Sequence, residues 1–324
     1  MTRRILLVGH PRRPEALDVA ATLVCDLTAH GIEVTGSTEE LQAFGVFDED
    51  GVTSGQGPVP DGCELAVVLG GDGTILRGAE IARESGVPLL GINLGRIGFL
   101  AEAERDDIHC TIDKIARRDW TVEERETLEV EASFGSESVW TNWALNEASV
   151  EKASREHMLE ITVEIDGRPL STWGCDGVVM ATPTGSTAYA FSAGGPVVWP
   201  GVAAILVVPI SAHALFARPL VLSHDVHVVV DLVAGASNTK AVLWCDGRRS
   251  FDLPHGARIE VRRSDRPVRL ARLGTSPFTD RLVAKFDLSI SGWRGIGDVK
   301  GKVAVPEGTT KYTEQSPTGI TLPP

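Results

Sequence analysis

Two short runs of glycine, hydroxyl and ring residues interrupt the apolar patterning of this chain: residues 70–74 (GGDGT) and 182–189 (TPTGSTAY). In the first run, glycines surround Asp72 directly after an apolar segment. A glycine turn that opens into a helix presents backbone N–H groups that suit phosphate. Because a carboxylate there would repel phosphate, we interpret Asp72 as a general base that takes a proton from a hydroxyl attacking phosphorus.

The residues around Asp72 leave a second interpretation open. Aspartate is also common as a turn residue and as a helix N-cap. Three flanking glycines exceed what one tight turn requires, so Gly71, Gly73 and Thr74 are interpreted as nucleotide-binding positions. Arg77 falls in the first turn of the predicted helix, where it either meets phosphate or lies on a solvated helix face. The chain lacks both G-x-x-x-x-G-K-[ST] and a G-x-G-x-x-G after a strand, which disfavours a Rossmann dehydrogenase.

A second group of polar residues is typical of nucleoside recognition. Asn146 supplies an amide that can read a base edge or sugar oxygen, and Glu147 supplies a carboxylate that can accept hydrogen bonds from vicinal hydroxyls. The alternative is that both lie on an exposed strand edge. In the second run, Tyr189 and its hydroxyl neighbours suit a planar heterocycle, whereas a loop with Ser/Thr caps is the alternative. Asp176, within Gly-Cys-Asp-Gly, is either a turn residue or part of the site.

The elements that must position these residues change in type along the chain. Up to about residue 124, apolar strand-like segments alternate with helical spacing, which predicts a parallel, doubly wound α/β sheet. From there to about residue 273, alternating strands predict an antiparallel β-sandwich, with hairpin turns at Asp166-Gly167 and Asp246-Gly247. The predicted fold class is therefore α/β plus all-β.

The predicted domain boundaries follow this change. Residues 1–124 form the α/β domain with the GGDGT run, and residues 125–276 form the β-sandwich domain with Asn146, Glu147 and the TPTGSTAY run. Residues 277–294 are expected to return to the N-terminal domain. Residues 295–324 are rich in Gly, Pro, Thr and Lys with little to bury, so we expect disorder.

Composition excludes several classes of protein. The 324 residues carry a formal net charge of −13, which disfavours non-specific nucleic-acid binding. The longest apolar stretch, residues 202–210, is too short to span a bilayer, and no signal-peptide core survives near the N-terminus. The five scattered cysteines and the scattered histidines show neither a disulfide framework nor metal-ligand spacing. These features predict a cytoplasmic protein with no metal bound by its own side chains.

The motifs, in this order, resemble those of NAD kinases. The GGDGT run, Asn146-Glu147 and the TPTGSTAY run correspond to the three signature motifs, and further similarity lies at residues 94–102, 176–177, 192–196 and 213–222. The likeness covers roughly residues 3–294. It implies an N-terminal α/β domain, a C-terminal β-sandwich, and NAD between them with a neighbouring subunit closing the site.

The resemblance also implies a reaction: a phosphoryl group passes from ATP or inorganic polyphosphate to the 2′-hydroxyl of the adenosine ribose of NAD, giving NADP. A divalent metal, Mg²⁺, would accompany the nucleotide donor. The assembly would be a homodimer or a homotetramer. The alternatives are a lipid or sugar kinase that shares the GGDGT turn, and a non-catalytic NAD-binding sensor.

Residue roles follow from the same resemblance. Asp72 would be the general base, and Asn146 and Glu147 would hold the nucleoside hydroxyls. Asp176 would reach the NAD of the adjacent subunit. The residues around the bases would be Phe99, Thr187, Ala188, Tyr189 and Ser192. One departure is Arg96, which stands where the family often has a smaller or neutral polar residue.

Overall fold

The computed structural model describes residues 2–10, 14–55, 59–95, 98–155, 157–214, 217–233, 240–274 and 277–289. Strands and helices alternate along the first part of the chain. Its strands are β1 (Arg3–Gly9), β2 (Ile32–Gly36), β3 (Val52–Ser54), β4 (Cys63–Leu69), β5 (Leu89–Asn93), β6 (Ala103–Glu104) and β7 (Thr121–Arg125). Its helices are α1 (Pro14–Ala29), α2 (Thr38–Phe44), α3 (Asp72–Ala82) and α4 (Ile108–Arg117).

Strands β1 to β5 form a parallel sheet in the order β3-β2-β1-β4-β5, with β6 on β5. Successive side chains of a strand point to opposite faces. In β1, Ile5 and Leu7 pack into the core formed with α1, α2 and α4, whereas Leu6 and Val8 pack into the core formed with α3. Helices therefore cover both faces, which confirms the predicted doubly wound architecture.

The remaining strands are antiparallel. They are β8 (Leu128–Phe134), β9 (Glu137–Ala144), β10 (Glu147–Lys152), β11 (Leu159–Ile165), β12 (Arg168–Cys175), β13 (Gly177–Ala181), β14 (Ala204–Ile210), β15 (Leu220–Ser223), β16 (Val228–Leu232), β17 (Ala241–Cys245), β18 (Arg249–Leu253) and β19 (Arg258–Arg263). A short 3-10 helix (Thr184–Thr187) and helix α5 (Tyr189–Ser192) follow β13.

These strands form two six-stranded sheets, in the orders β15-β14-β13-β10-β17-β18 and β12-β11-β16-β19-β8-β9. Side chains from both sheets share one buried core, as Leu159, Ile161 and Val163 of β11 do with Val178 and Met180 of β13. This arrangement confirms the predicted β-sandwich. In β11, buried residues alternate with more exposed ones, and this two-residue period is the sequence pattern that predicts a strand with one face in the core.

The chain returns to the first sheet near its end. Strand β20 (Val268–Arg272) pairs parallel to β5 and antiparallel to β7, and helix α6 (Phe278–Phe286) follows it. The range predicted for the β-sandwich domain, residues 125–276, therefore includes β20, a strand of the first sheet. The predicted domain boundary near residue 124 stays a prediction. The predictions for residues 290–324 lie outside the described residues. In the described ranges, no helix combines the length and apolarity needed to cross a bilayer.

Candidate active site

The glycine turn after β4 places Asp72 at the first position of α3. Gly70 has a φ of 154°, and a Cβ atom there would overlap the side chain of Thr74. Gly71 is the N-cap residue in extended conformation and has no side chain to cap the helix. Asp72 therefore lies inside the helix, and the interpretation of Asp72 as an N-cap is wrong.

The Asp72 carboxylate is fixed by the loop that follows β5. Its two oxygens accept hydrogen bonds from the backbone N–H groups of Phe99 at 3.2 Å and Leu100 at 3.1 Å. Gly98 makes this approach possible, because a Cβ atom at that position would overlap the carboxylate. The carboxylate is thus oriented by two adjacent parallel strands, at the edge where ligands bind in open α/β sheets.

A cavity of about 600 Å³ opens beside Asp72. Its lining includes three cationic side chains, Arg77, Arg248 and Lys285, and burial with Arg248 nearby lowers the pKa of Arg77. The other lining residues are His10, Gly71, Gly73, Thr74, Asn93 and Gly98. Arg77 also forms an ion pair with Glu40, so it is not on a freely solvated helix face. Cations around a helix N-terminus suit a phosphate chain.

The Asn146-Glu147 segment is held by a carboxylate that the sequence predicts only as part of a hairpin turn. Asp246, in the turn between β17 and β18, accepts backbone N–H groups from Leu145 at 3.0 Å, Asn146 at 2.7 Å and Glu147 at 3.3 Å. Arg249 donates to the same carboxylate at 2.6 Å. No sequence signal distinguishes Asp246 from the exposed Asp166, because each precedes a glycine. Their backbone conformations are also similar, with φ values of 55° at Asp246 and 50° at Asp166.

Glu147 is buried and close to other carboxylates. Burial, together with the negative charges of Asp246 and Glu151, raises its pKa to about 8 despite the opposing hydrogen bond from the Tyr189 backbone N–H. The pKa of Asp246 is also raised, chiefly by burial. The position of Glu147 is therefore not an exposed strand edge, and its carboxyl group retains a proton near neutral pH.

The TPTGSTAY run is locked onto the Asn146 segment. The Thr182 hydroxyl donates to the Leu145 carbonyl at 2.6 Å, and the Thr182 N–H donates to the Asn146 carbonyl at 2.9 Å. Gly185 approaches so closely that a Cβ atom would overlap the Asn146 backbone. These contacts bring two of the predicted motifs, about 40 residues apart in the sequence, into one rigid unit.

A second cavity, of about 360 Å³, lies beside this unit. It is lined by Glu147, Ser149, Glu151, Tyr189, Trp244 and Gly247. The Tyr189 hydroxyl donates to Glu151 at 3.2 Å, and burial raises the Tyr189 pKa to about 12. Gly247 lines this cavity and its chain neighbour Arg248 lines the Asp72 cavity, so the β17–β18 turn contributes one residue to each.

Other predicted site residues lie outside these two linings. Phe99 is buried against Phe278 and Phe286 of α6, with ring centroids 5.9 and 5.8 Å away. Asp176 pairs with Lys152 at 2.5 Å. The remaining members of this group are Asn146, Thr187, Ala188 and Ser192. Their roles stay predictions, and Arg96 lies outside the described residues.

A metal site built from the protein's own side chains was not predicted. Within the described ranges, no three His, Cys, Asp or Glu side chains cluster as metal ligands would. The cationic lining of the Asp72 cavity is instead suited to anionic groups of a ligand.

Two family models match the chain. The ATP-NAD kinase N-terminal domain matches residues 5–120, and the ATP-NAD kinase C-terminal domain matches residues 145–273. Among curated proteins, the chain is 55% identical over 296 residues to NAD kinase from Leifsonia xyli subsp. xyli, and 56% identical over 296 residues to NAD kinase 2 from Streptomyces coelicolor. Each match covers 90% of this chain and 97% of the relative.

Two solved structures share the fold. Yeast NADH kinase complexed with NADH has a TM-score of 0.80 and 26% identity, covering 91% of this chain and 90% of that one. An NAD kinase from Archaeoglobus fulgidus in complex with ATP has a TM-score of 0.67 and 25% identity, covering 88% of this chain and 98% of that one. With both domain models and relatives of this identity over nine-tenths of its length, the chain belongs to the NAD kinase family.

Proposed function

We propose that this protein transfers the terminal phosphoryl group of ATP to the 2′-hydroxyl of the adenosine ribose of NAD, producing NADP and ADP. The observation that carries the proposal is the oriented Asp72 carboxylate in a cation-lined cavity. The β17–β18 turn contributes Arg248 to that cavity and Gly247 to a second cavity lined by Glu147 and Tyr189. Family membership supplies the substrates, since relatives are named NAD kinases and one solved relative was crystallised with ATP.

Asp72 acts as the general base in this proposal. Each carboxylate oxygen accepts one backbone N–H, so lone pairs remain for a substrate hydroxyl. As the ribose oxygen bonds to phosphorus and the bond from phosphorus to the ADP oxygen breaks, the hydroxyl proton passes to Asp72. A positioned base of this kind typically contributes about 10²- to 10⁴-fold to the rate.

The donor phosphates bind in the Asp72 cavity. Gly71, Gly73 and Thr74 at the start of α3 line this cavity, and three cationic side chains offset the phosphate charge. ATP enters as its Mg²⁺ complex, so the metal belongs to the substrate. Inorganic polyphosphate presents the same linked phosphoryl groups and is the alternative donor.

The acceptor binds across the second cavity. Asn146 and Glu147 hold the nucleoside hydroxyls, and Phe99, Thr187, Ala188, Tyr189 and Ser192 surround the bases. Asp176 contacts the NAD of an adjacent subunit in a homodimer or homotetramer. Support for the first two roles is the rigid Asn146-Glu147 segment held by Asp246. The cytoplasm remains the proposed location.

One incubation tests the proposal. The protein is mixed with Mg²⁺ and either ATP or polyphosphate, together with either NAD or NADH, and products are identified by mass spectrometry. We expect one added phosphate on NAD, at the 2′ position. Phosphorylation of a lipid or sugar with NAD untouched would support the related-kinase alternative, and NAD binding without turnover would support the sensor.

A further inference from the structure

Five charged side chains form a continuous chain of ion pairs away from the two cavities above. Glu123 bridges Arg125 at 2.9 Å and Arg272 at 2.6 Å. Glu102 bridges Arg272 at 3.0 Å and Arg281 at 2.7 Å, and also accepts two backbone N–H groups. We call these five residues the arginine cluster. Three guanidinium groups face two carboxylates, so the cluster has one uncompensated positive charge.

The excess charge is buried. The side chains of Arg125, Arg272 and Arg281 are 6%, 9% and 14% exposed, and that of Glu102 is 4% exposed. Among the described residues, Nε of Arg125 and Nη2 of Arg272 have no hydrogen-bond partner. Buried charge and buried unpaired donors both cost free energy unless another group satisfies them.

A cavity of about 350 Å³ opens onto the arginine cluster. All three arginines line it, together with Thr121, Glu123, Trp199, Pro200, Gly201, Gly274 and Phe278. The Trp199 and Phe278 rings meet edge to face at 5.3 Å and form an apolar wall. Trp199 is 49% exposed, so this wall is accessible from solvent. The size is at the lower end of small-molecule sites.

We propose that this cavity is a further binding site, distinct from the Asp72 cavity and from the cavity beside Tyr189. It would bind a small molecule whose phosphate or carboxylate group pairs with the arginine cluster. An oxyanion neutralises the excess charge and accepts from guanidinium donors in the geometry that arginine favours. The apolar wall of Trp199 and Phe278 packs against the remainder of the ligand. Burial, with Arg272 and Arg281 nearby, lowers the pKa of Arg125 to about 10, which an anion would reverse.

The site is connected to both predicted substrate-binding segments. Arg125 donates to the Thr184 hydroxyl in the TPTGSTAY run at 3.3 Å. Arg281 donates to the Phe99 carbonyl at 3.1 Å, and the Phe99 N–H donates to Asp72. An anion that draws these guanidinium groups toward itself therefore weakens their hydrogen bonds to Thr184 and to Phe99, whose loop orients Asp72. This regulatory consequence rests on the proposed function, whereas binding at the cluster does not.

The test compares two threonine variants with inorganic phosphate as the probe. Thr121→Asp puts a carboxylate at an exposed position in the cavity wall, opposite Arg272 in the strand register. Thr141→Asp makes the same change at an exposed position of β9, outside the cavity lining. Tm is measured against phosphate concentration, with sodium chloride replacing phosphate at constant ionic strength. Phosphate in the Asp72 cavity contributes equally to both variants.

A ligand that binds only the folded state raises Tm, and we expect about 2–4 °C from the cluster in Thr141→Asp at saturating phosphate. Thr121→Asp should lack this contribution. Equal phosphate dependence in the two variants would overturn the proposal. If Thr121→Asp does not melt cooperatively, Arg281→Lys replaces it, and an unchanged phosphate dependence there also contradicts the site.

A separate measurement addresses regulation. Phosphate titrated into the kinase assay should change the KM for NAD more in Thr141→Asp than in Thr121→Asp, since phosphate bound in the Asp72 cavity affects both variants alike. If the Tm difference is found but this kinetic difference is not, the site binds anions without coupling to catalysis. If no kinase activity is found at all, the Tm result still decides the binding proposal.

Discussion

The Asp246 carboxylate accepts the backbone N–H of Asn146 at 2.7 Å, across 100 residues of sequence. The backbone N–H groups of Leu145 and Glu147 donate to the same carboxylate. The turn after β17 therefore holds the start of β10 and the residues before it in place. The same turn continues into Arg248, which lines the Asp72 cavity. One hairpin turn thus positions the predicted nucleoside-binding residues and supplies a cation to the predicted phosphate site.

Asp246→Asn should destabilise the fold and weaken NAD binding. The amide has one acceptor oxygen for three backbone donors and Arg249, so the free energy of unfolding should fall by about 1–3 kcal/mol. The KM for NAD should rise. The matched control is Asp166→Asn, in the exposed Asp-Gly turn between β11 and β12, where the change should be within about 0.5 kcal/mol. Denaturant unfolding with equal effects in both variants would contradict the role given to Asp246.

Asp72→Asn should fold normally, bind NAD within a few-fold of the parent, and lose turnover by about 10²- to 10⁴-fold. The amide oxygen can still accept one of the two N–H groups, while the base is removed. Steady-state kinetics and NAD titration check this, with the exposed Asp113→Asn of α4 as the control. Intact turnover with weakened NAD affinity would instead make Asp72 a binding residue.

Because Glu147 is buried, we expect the stability of the folded protein to fall as pH rises. Its pKa is raised from 4.5 to about 8 on folding, so between these values the folded state binds a proton that the unfolded state has released. Stability from this group is therefore present below the unfolded pKa and is lost as pH rises through the folded pKa. Tm measured from pH 5 to pH 9 should decline less in Glu147→Gln than in the parent. The control Glu137→Gln, at an exposed position, should show the same dependence of Tm on pH as the parent. If Glu147→Gln also shows the parent's dependence, the raised pKa of Glu147 is refuted.

The role proposed for Asp176 in a neighbouring subunit predicts complementation. Asp176→Asn alone should raise the KM for NAD, because the amide lacks the negative charge and one of the two acceptor oxygens of the carboxylate. When Asp176→Asn and Asp72→Asn chains are mixed and allowed to exchange, sites with Asp72 from one subunit and Asp176 from its neighbour should regain activity. Activity per chain should also fall on dilution through the dissociation range. A monomer in sedimentation that retains full specific activity would rule out this arrangement.

Several features of the molecule were predictable from short stretches of sequence. The alternation of Ile161, Val163 and Ile165 predicts a half-buried strand, and Asp166-Gly167 predicts its hairpin turn, with φ values of 50° and 74°. The GGDGT run predicts a glycine turn before a helix because the turn needs a residue without a side chain at position 70. Each of these signals is local, since it depends on backbone conformation or on side chains a few residues apart.

Contacts between distant segments were decided by the tertiary structure. Strand β20 reads as one more strand of the sandwich, yet it pairs with β5 through Leu270 and Leu89 in the first sheet. Asp166 and Asp246 stand in identical dipeptides, and only the fold makes one an exposed turn residue and the other a buried acceptor of three N–H groups. Glu102 and Arg281 meet across 179 residues. Local patterns specify strands, helices and turns, whereas burial, strand pairing and charge compensation depend on which segments the folded chain brings together.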